Sequence, residues 1–157
     1  MKRKAIILLA AALVFLCGCS SDIKGQNMCL SSFSFVHTGS SSEDGYSLMV
    51  YETAEGVQLL AVLQSGARQL ETAADEVVLQ ELSALCERYG VFSWDGFRGR
   101  SLLPFKRAGG DSFTISITFA DGSTLEAEGS SKKPERYREF EAELRDFIQR
   151  MIEKYEG

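Results

Sequence analysis

The chain contains a single histidine, His37, which limits the metal ligation and general-base catalysis that imidazole groups could provide. Zinc sites combine several His or Cys ligands at short spacing, and His37 has no such neighbour in the sequence. A Ser-His-Asp triad would have to use His37 as its base, and no motif nominates a serine. We interpret His37 as a surface or hydrogen-bonded residue of a strand, and we expect no metal and no cofactor.

Three aspartates, Asp44, Asp95 and Asp111, each lie beside a glycine. Asp and Gly together favour turns, which explains these residues better than the paired carboxylates of a glycosidase do. The chain also lacks a phosphate-binding loop, a Gly-x-Ser-x-Gly and a His-Glu-x-x-His. We therefore expect a non-enzymatic protein. An enzyme would need carboxylates clustered in a cleft of the folded chain.

The most distinctive group is Trp94-Asp95-Gly96-Phe97, in a segment from Val91 to Asp111 that is long for a loop. In one interpretation its two aromatic rings close the edge or the end of a sheet. In the other, Trp94 stacks on a sugar or peptide while Arg98 or Arg100 binds an anionic group. The basic residues within 98–107 either contact lipid headgroups or wall polymer or pair with acidic helix faces. The candidate binding surface consists of Trp94, Phe97, Arg98, Arg100, Lys106 and Arg107.

The N-terminus combines three basic residues, an apolar run and Leu16-Cys17-Gly18-Cys19. The run is too short for a spanning helix, and the layout is that of an export signal. The pattern resembles the lipobox of bacterial lipoproteins. The resemblance implies a signal peptide over 1–18 and a diacylglyceryl thioether on Cys19. It also implies a new amino group that can take a further acyl chain such as palmitate, and an anchor on the extracytoplasmic face of the cell membrane. An ordinary secreted protein is the alternative.

Processing changes the charge of the remaining chain. The net charge is −5, and loss of three positive charges with the signal leaves −8. An acidic chain argues against nucleic acid as a partner. We predict a lipidated tether over 19–31 and a single domain over 32–157.

Processing also changes the cysteine count. Cys17 leaves with the signal and Cys19 carries lipid, so Cys29 and Cys86 remain. An exported chain can form a disulfide between them. Alternatively, Cys86 is a small core residue on the apolar side of a helix.

Alternating patterns predict the strands. Phe33, Phe35 and His37 alternate with polar residues, and the runs 46–53 and 57–64 form a hairpin that we expect to lie centrally with both faces covered. We expect its Ala54-Glu55-Gly56 turn to place Tyr51 opposite Leu59. Residues 64–70 form a turn or a short extra strand. In the second hairpin, a three-residue loop with a left-handed Gly122 places Ile117 opposite Leu125 and Ile115 opposite Ala127.

Helical spacing predicts two amphipathic helices, at 73–89 and 134–154. The first has a Thr72-to-Asp75 capping box and a Gly90 cap, and the second begins at Pro134. The predicted fold is α+β, an antiparallel sheet of about five strands with both helices packed on it, in the order β-ββα-loop-ββα.

The segment from Trp94-Asp95-Gly96-Phe97 through Gly110–Ile117, Asp121–Thr124 and Pro134–Tyr137 resembles an uncharacterised domain of exported proteins from gut-type Firmicutes. The resemblance covers residues 88–150 and implies an exported α+β domain without assigning any catalytic residue. We expect an anchored binding domain whose partner is an envelope protein, glycan or peptide. The alternative is a small envelope inhibitor of a protease-type or lysozyme-type hydrolase.

Overall fold

The computed structural model describes residues 28–41, 44–65, 67–99 and 110–156. The fold is α+β, as predicted. Its two helices are α1, Val77–Tyr89, and α2, Tyr137–Glu156, and a 3-10 helix spans Val91–Trp94. The strands are β1 Leu30–Thr38, β2 Tyr46–Thr53, β3 Gly56–Leu63, β4 Arg68–Ala74, β5 Arg98–Gly99, β6 Ser112–Phe119 and β7 Thr124–Gly129.

The strands form one sheet in the order β4-β3-β2-β1-β6-β7-β5. Neighbouring strands are antiparallel except β7 and β5, which are parallel. The sheet has seven strands rather than about five. The stretch after β3 continues as a full edge strand, β4, and the two residues of β5 extend the other edge.

The two hairpins differ in how well local sequence predicts their register. In the second, Ile117 faces Leu125 and Ile115 faces Ala127, as predicted. Gly122 is left-handed at φ 84°, and its N–H donates to the Phe119 carbonyl at 2.9 Å.

In the first hairpin the predicted register is wrong, because Tyr51 faces Gln58 and the turn contains only Ala54 and Glu55. This register pairs Val50 with Leu59 across the buried face, where both side chains are almost fully buried. A one-residue slip would move one of them to the other face.

Both helices begin later than predicted. The capping box at Thr72 is absent because Thr72 and Ala74 pair with β3, so α1 begins at Val77. Arg136 has φ 57°, which is not helical, so α2 begins after it at Tyr137 rather than at Pro134. The Arg136 guanidinium lies 4.8 Å from the centre of the Tyr89 ring and donates to the Arg88 carbonyl at 2.6 Å. These contacts compensate for the strained backbone.

The core lies between the helices and one face of the sheet. Helix α1 contacts β1, β2 and α2, while α2 also contacts β4. The described core extends from Leu30 to Ile152, so it begins two residues before the predicted start of the domain at residue 32. On the other face, Val36, Met49 and Tyr51 are 44%, 43% and 38% exposed. The prediction that both faces of the first hairpin are covered is therefore wrong for the described residues.

Gly90, at the C-terminal end of α1, should be costly to replace by alanine. Its φ of 70° lies in the left-handed region, and its N–H caps the helix through the Glu87 carbonyl. We expect Gly90→Ala to lower the free energy of unfolding by about 1–2 kcal/mol in urea denaturation. Gly110→Ala, where a new methyl group would meet no atom of the described residues within 4 Å, should change it by less than about 0.5 kcal/mol. Equal effects of the two variants would contradict the cap.

Candidate functional site

The Trp94-Asp95-Gly96-Phe97 segment forms a turn that closes the end of the core. Trp94 is 3% exposed, and its ring lies 5.3 Å, edge to face, from that of Phe140. The Asp95 carboxylate accepts from the Glu126 N–H at 3.1 Å, while the Gly96 N–H donates to the Glu126 carbonyl at 2.9 Å. A ligand cannot stack on this buried indole ring, so Trp94 is not part of the candidate binding surface.

The other candidate surface residues have different positions. Phe97 is half-buried, with its ring 6.5 Å from that of Phe113. Arg98 is exposed on β5, and its guanidinium lies 3.7 Å from both the Glu126 and the Glu128 carboxylates. Its positive charge is therefore balanced locally. Arg100, Lys106, Arg107 and the predicted lipidation site Cys19 lie outside the described residues.

Cys86 carries a free thiol on the buried side of α1, so the Cys29–Cys86 disulfide is not present. Complete burial raises the pKa of this thiol well above its usual range. The core interpretation of Cys86 is the one that the structure supports.

This burial makes Cys86 unreactive, because the thiolate is the nucleophile. In a chain beginning at Ser20, we expect Cys86 to react with an aromatic disulfide reagent only after denaturation. Mass spectrometry of the labelled peptides measures this, with Cys29→Ser as the control variant that leaves one thiol. Rapid labelling of Cys86 in the native Cys29→Ser variant would contradict the buried position.

His37 is the buried polar residue of the described core, 6% exposed at the end of β1. Its ring stacks on that of Tyr46, with centroids 5.0 Å apart. Its Nδ1 atom lies 3.3 Å from the Tyr137 hydroxyl and 3.6 Å from the Glu141 carboxylate. We call His37, Tyr46, Tyr137 and Glu141 the histidine cluster. It joins β1 and β2 to α2.

Burial dominates the electrostatics of the histidine cluster. Desolvation lowers the pKa of His37, opposed by the negative charges of Glu141 and Asp111 and assisted by the positive charges of Lys133 and Arg145. The lowered pKa of His37 favours the neutral ring at neutral pH. Desolvation likewise raises the pKa of the Tyr46 and Tyr137 hydroxyls.

Tyr46 is the unsatisfied member of the histidine cluster. Its buried hydroxyl faces Glu141 and Arg145, yet no group of the described residues reaches hydrogen-bonding geometry with it. The Arg145 guanidinium lies 4.8 Å from the centre of its ring. One sequence pattern indicates the burial of His37, because it lies on the same face of its strand as Phe33 and Phe35. Its partners are too distant in sequence to be anticipated.

The face of the sheet opposite the helices carries exposed apolar side chains, among them Val36, Met49 and Tyr51. Three cross-strand rows define what we call the open face, and each row contains one residue from each of six strands. From β4 to β7 the rows are Glu71-Leu60-Met49-Ser34-Ser116-Glu126, Gln69-Val62-Ser47-Val36-Thr114-Glu128 and Ala73-Gln58-Tyr51-Ser32-Thr118-Thr124.

The open face has an apolar centre, with glutamates on β4 and β7. Its inner four strands, β3, β2, β1 and β6, contribute no charged side chain to the three rows. Apolar side chains from β1, β2 and β3 lie together, with Met49 directly opposite Leu60. Glu71 lies on the edge strand β4, and Glu126 and Glu128 lie on β7, where Arg98 of the edge strand β5 pairs with both. A shallow depression of about 240 Å³ adjoins β7, lined by Ser112, Phe113, Thr114, Glu128, Gly129 and Ser130.

Within the described ranges, no group of three or more His, Cys, Asp or Glu side chains is arranged to hold a metal ion. None of the helices in those ranges has the length and apolar character needed to cross a membrane. Comparisons with protein-family models, with curated proteins and with solved structures found no match to this chain.

Proposed function

We propose that this protein is a lipid-anchored lipoprotein of the bacterial cell envelope, and that its domain binds another envelope component without catalysing a reaction. The anchor is inferred from the lipobox at Leu16–Cys19. The observation that carries the binding role is the open face. A sheet normally buries its apolar face against another element, and exposed apolar side chains grouped together mark interaction sites.

The described part of the chain begins on the helix side of the sheet, away from the open face. The described chain enters beside α1, where the Met28 carbonyl accepts from the Ser83 hydroxyl at 2.7 Å. The Cys29 carbonyl then accepts from the Ala120 N–H at the start of β1. Residues 19–27 can reach about 30 Å when extended. An anchor on Cys19 would therefore hold the domain within some tens of ångströms of the membrane, attached at one end of the sheet.

The anchor makes its own prediction. We expect Cys19→Ser to move the protein from the membrane fraction to the soluble envelope fraction, because two or more acyl chains are needed for stable attachment. Mass spectrometry of the wild-type N-terminal peptide should show a diacylglyceryl group on Cys19. An unmodified N-terminus at another residue would contradict the lipoprotein assignment and leave the binding role to be tested separately.

Site-specific photo-crosslinking in the native envelope tests the binding role. A photoreactive residue at position 49, at the centre of the open face, should yield a discrete crosslinked product. The same residue at position 80, where Gln80 is exposed on α1, is the matched control and should not yield that product. Identical products at both positions, or none at position 49, would overturn the assignment of the open face as the binding surface.

A further inference from the structure

We propose that β4 is a strand-addition site, at which an extended segment of a partner protein joins the sheet as a further antiparallel strand with a basic residue opposite Glu71. The site is the outer edge of β4, which we call the β4 edge, and not the centre of the open face. The inference therefore goes beyond the proposed function. Three features of β4 support it: its unpaired main-chain groups, its lack of edge protection and the position of α2 beside it.

The hydrogen-bonding pattern of the sheet shows which residues of β4 face outward. The two-residue turn between β2 and β3 makes Thr53 and Gly56 a hydrogen-bonded pair. Because such pairs alternate along an antiparallel ladder, the odd-numbered residues of β3 bond with the even-numbered residues of β4 that they face. The N–H and C=O groups of the odd-numbered residues of β4 therefore point away from β3.

Three of these residues, Gln69, Glu71 and Ala73, form the β4 edge, and all three are exposed. Among the described residues, no group bonds with the N–H or C=O of Gln69 and Glu71, or with the N–H of Ala73. The Ala73 carbonyl accepts from the Thr72 hydroxyl at 3.1 Å. The Asp75 N–H donates to a tyrosine hydroxyl of α2 at 3.3 Å, which ends the β4 edge. An added strand would supply the missing partners.

The β4 edge lacks most of the features by which proteins protect an edge strand. Such features include proline, bulges, lysine side chains and a very short strand. Strand β4 has seven residues, contains no proline or lysine, and pairs with β3 without a shift in register. The opposite edge of the described sheet is β5, which has two residues. Of these two edges, β4 is therefore the one that can accept a strand.

The end of α2 leaves room for one added strand but not for a second copy of this domain. Its last residues contact both ends of β4, through Arg68 with Glu156 and Asp75 with Lys154. A second copy paired along the β4 edge by two-fold symmetry would place its own α2 on the same side of the sheet. Neighbouring strands are about 4.8 Å apart, whereas packed helices are about 8–10 Å apart, so the two helix ends would collide.

The side chains of β4 select the sequence of the added strand. Residues directly opposite each other in an antiparallel pair lie on the same face, so residues opposite Gln69, Glu71 and Ala73 would extend the open face. Glu71 makes no ion pair with any described residue, and a lysine or arginine opposite it is favoured. On the helix side the added strand would lie beside Leu70 and Thr72, where β-branched residues pack well.

Binding can be measured with a defined probe, a fluorescently labelled peptide of sequence Val-Thr-Val-Lys-Val-Thr-Val. The protein is the chain beginning at Ser20, which contains every described strand and helix, and fluorescence anisotropy measures the affinity. One control peptide carries N-methyl groups on its threonine and lysine amides, which face β4 in an antiparallel pair, and should bind about tenfold or more weakly. A second carries them on its inner valine amides, which face solvent, and should bind within about threefold of the probe.

Amide hydrogen exchange, resolved by NMR, reports the main-chain contact directly. In the free protein the amides of Gln69, Glu71 and Ala73 should exchange rapidly, whereas those of Leu70 and Thr72 are protected by bonds to β3. Saturation with the probe should slow exchange of the first three amides by about tenfold or more. The two amides bonded to β3 should change little.

Matched variants locate the contact. Gln69→Pro removes one outward N–H without losing a bond to β3, and it should weaken probe binding about tenfold or more. Gln69→Ala keeps the N–H and should change the affinity less than about twofold. Glu71→Lys should weaken binding about two- to fivefold, and a peptide with glutamate in place of lysine should recover that loss. If urea denaturation shows that Gln69→Pro is unfolded, the methylated peptides and the charge exchange at position 71 decide.

Several results would overturn the inference. They are no measurable binding of the probe, equal binding of the two methylated peptides, and exchange at Glu71 and Ala73 that the probe leaves unchanged. Loss of binding with the valine-methylated peptide alone would mean a parallel strand. Protection of the same amides in the free protein at rising protein concentration would assign the β4 edge to a second copy. None of these results depends on crosslinking at position 49, so the proposed function and this inference can fail separately.

Discussion

Replacing Trp94 with alanine is expected to lower the free energy of unfolding by about 3–5 kcal/mol, the range for large aromatic side chains removed from cores. The indole ring is almost fully buried among the rings of Phe113, Tyr137 and Phe140. Truncation would remove these contacts and leave a cavity between the sheet and α2. Such a loss is a large part of the total stability of a domain of this size.

Chemical denaturation monitored by far-UV circular dichroism measures this loss, since the variant lacks the only tryptophan. Trp94→Phe should recover part of the stability because it keeps a ring in the site. Arg98→Ala, four residues later in the same segment, should cost less than about 1 kcal/mol because its ion pairs are exposed. A Trp94→Ala variant as stable as Arg98→Ala would mean that the indole ring is at the surface, as a binding platform requires.

The protein should lose stability as the pH falls below about 6.5, through His37. Burial lowers the pKa of His37 in the folded protein below its unfolded value. Below that unfolded pKa, the unfolded chain binds a proton that the folded chain resists. The contribution of His37 is therefore fully present above pH 6.5 and is lost as the pH falls toward the folded pKa. One proton corresponds to a slope of at most about 1.4 kcal/mol per pH unit.

The comparison of wild type with His37→Gln isolates this effect from other titrating groups. Glutamine stays neutral, so the difference in unfolding free energy between the two proteins should be constant above about pH 7.5 and shrink below about pH 6.5. His37→Gln also loses the stacking on Tyr46, so it should be less stable than the wild type above about pH 7.5. A difference that grows as the pH falls would mean that Glu141 and Asp111 outweigh burial and that His37 is charged in the folded protein.

Sequence patterns predicted those parts of the fold in which neighbouring residues decide the outcome. The stripe of apolar residues in α2 and the left-handed Gly90 after α1 are local features, and both are found as predicted. The strict alternation of β6 and β7 specified their register through the side chains on one face. The first hairpin has apolar residues on both faces, so alternation could not choose between registers there, and the prediction was wrong.

Residues whose roles depend on distant partners could not be assigned in this way. Thr72 lies in a helix-capping pattern, but pairing with β3 extends β4 through it. From sequence, the Trp94-Asp95-Gly96-Phe97 segment could form either a binding platform or a closed end of the core. The contacts of Trp94 with Phe140 and Tyr137 on α2 show that it closes the core. His37 and Tyr137 are 100 residues apart, and only the folded chain brings them to 3.3 Å.

The sequence by itself determined the fold class, the two amphipathic helices and the pairing register of β6 and β7, because each follows from the period of apolar residues along the chain. It also contains the lipobox-like pattern Leu16–Cys19, from which the anchor is proposed. The tertiary structure alone decided that both helices cover the same face of the sheet. For that reason Trp94 and His37 are buried, and Met49 lies at the centre of an exposed face, since burial depends on which elements meet and not on the pattern within any one of them.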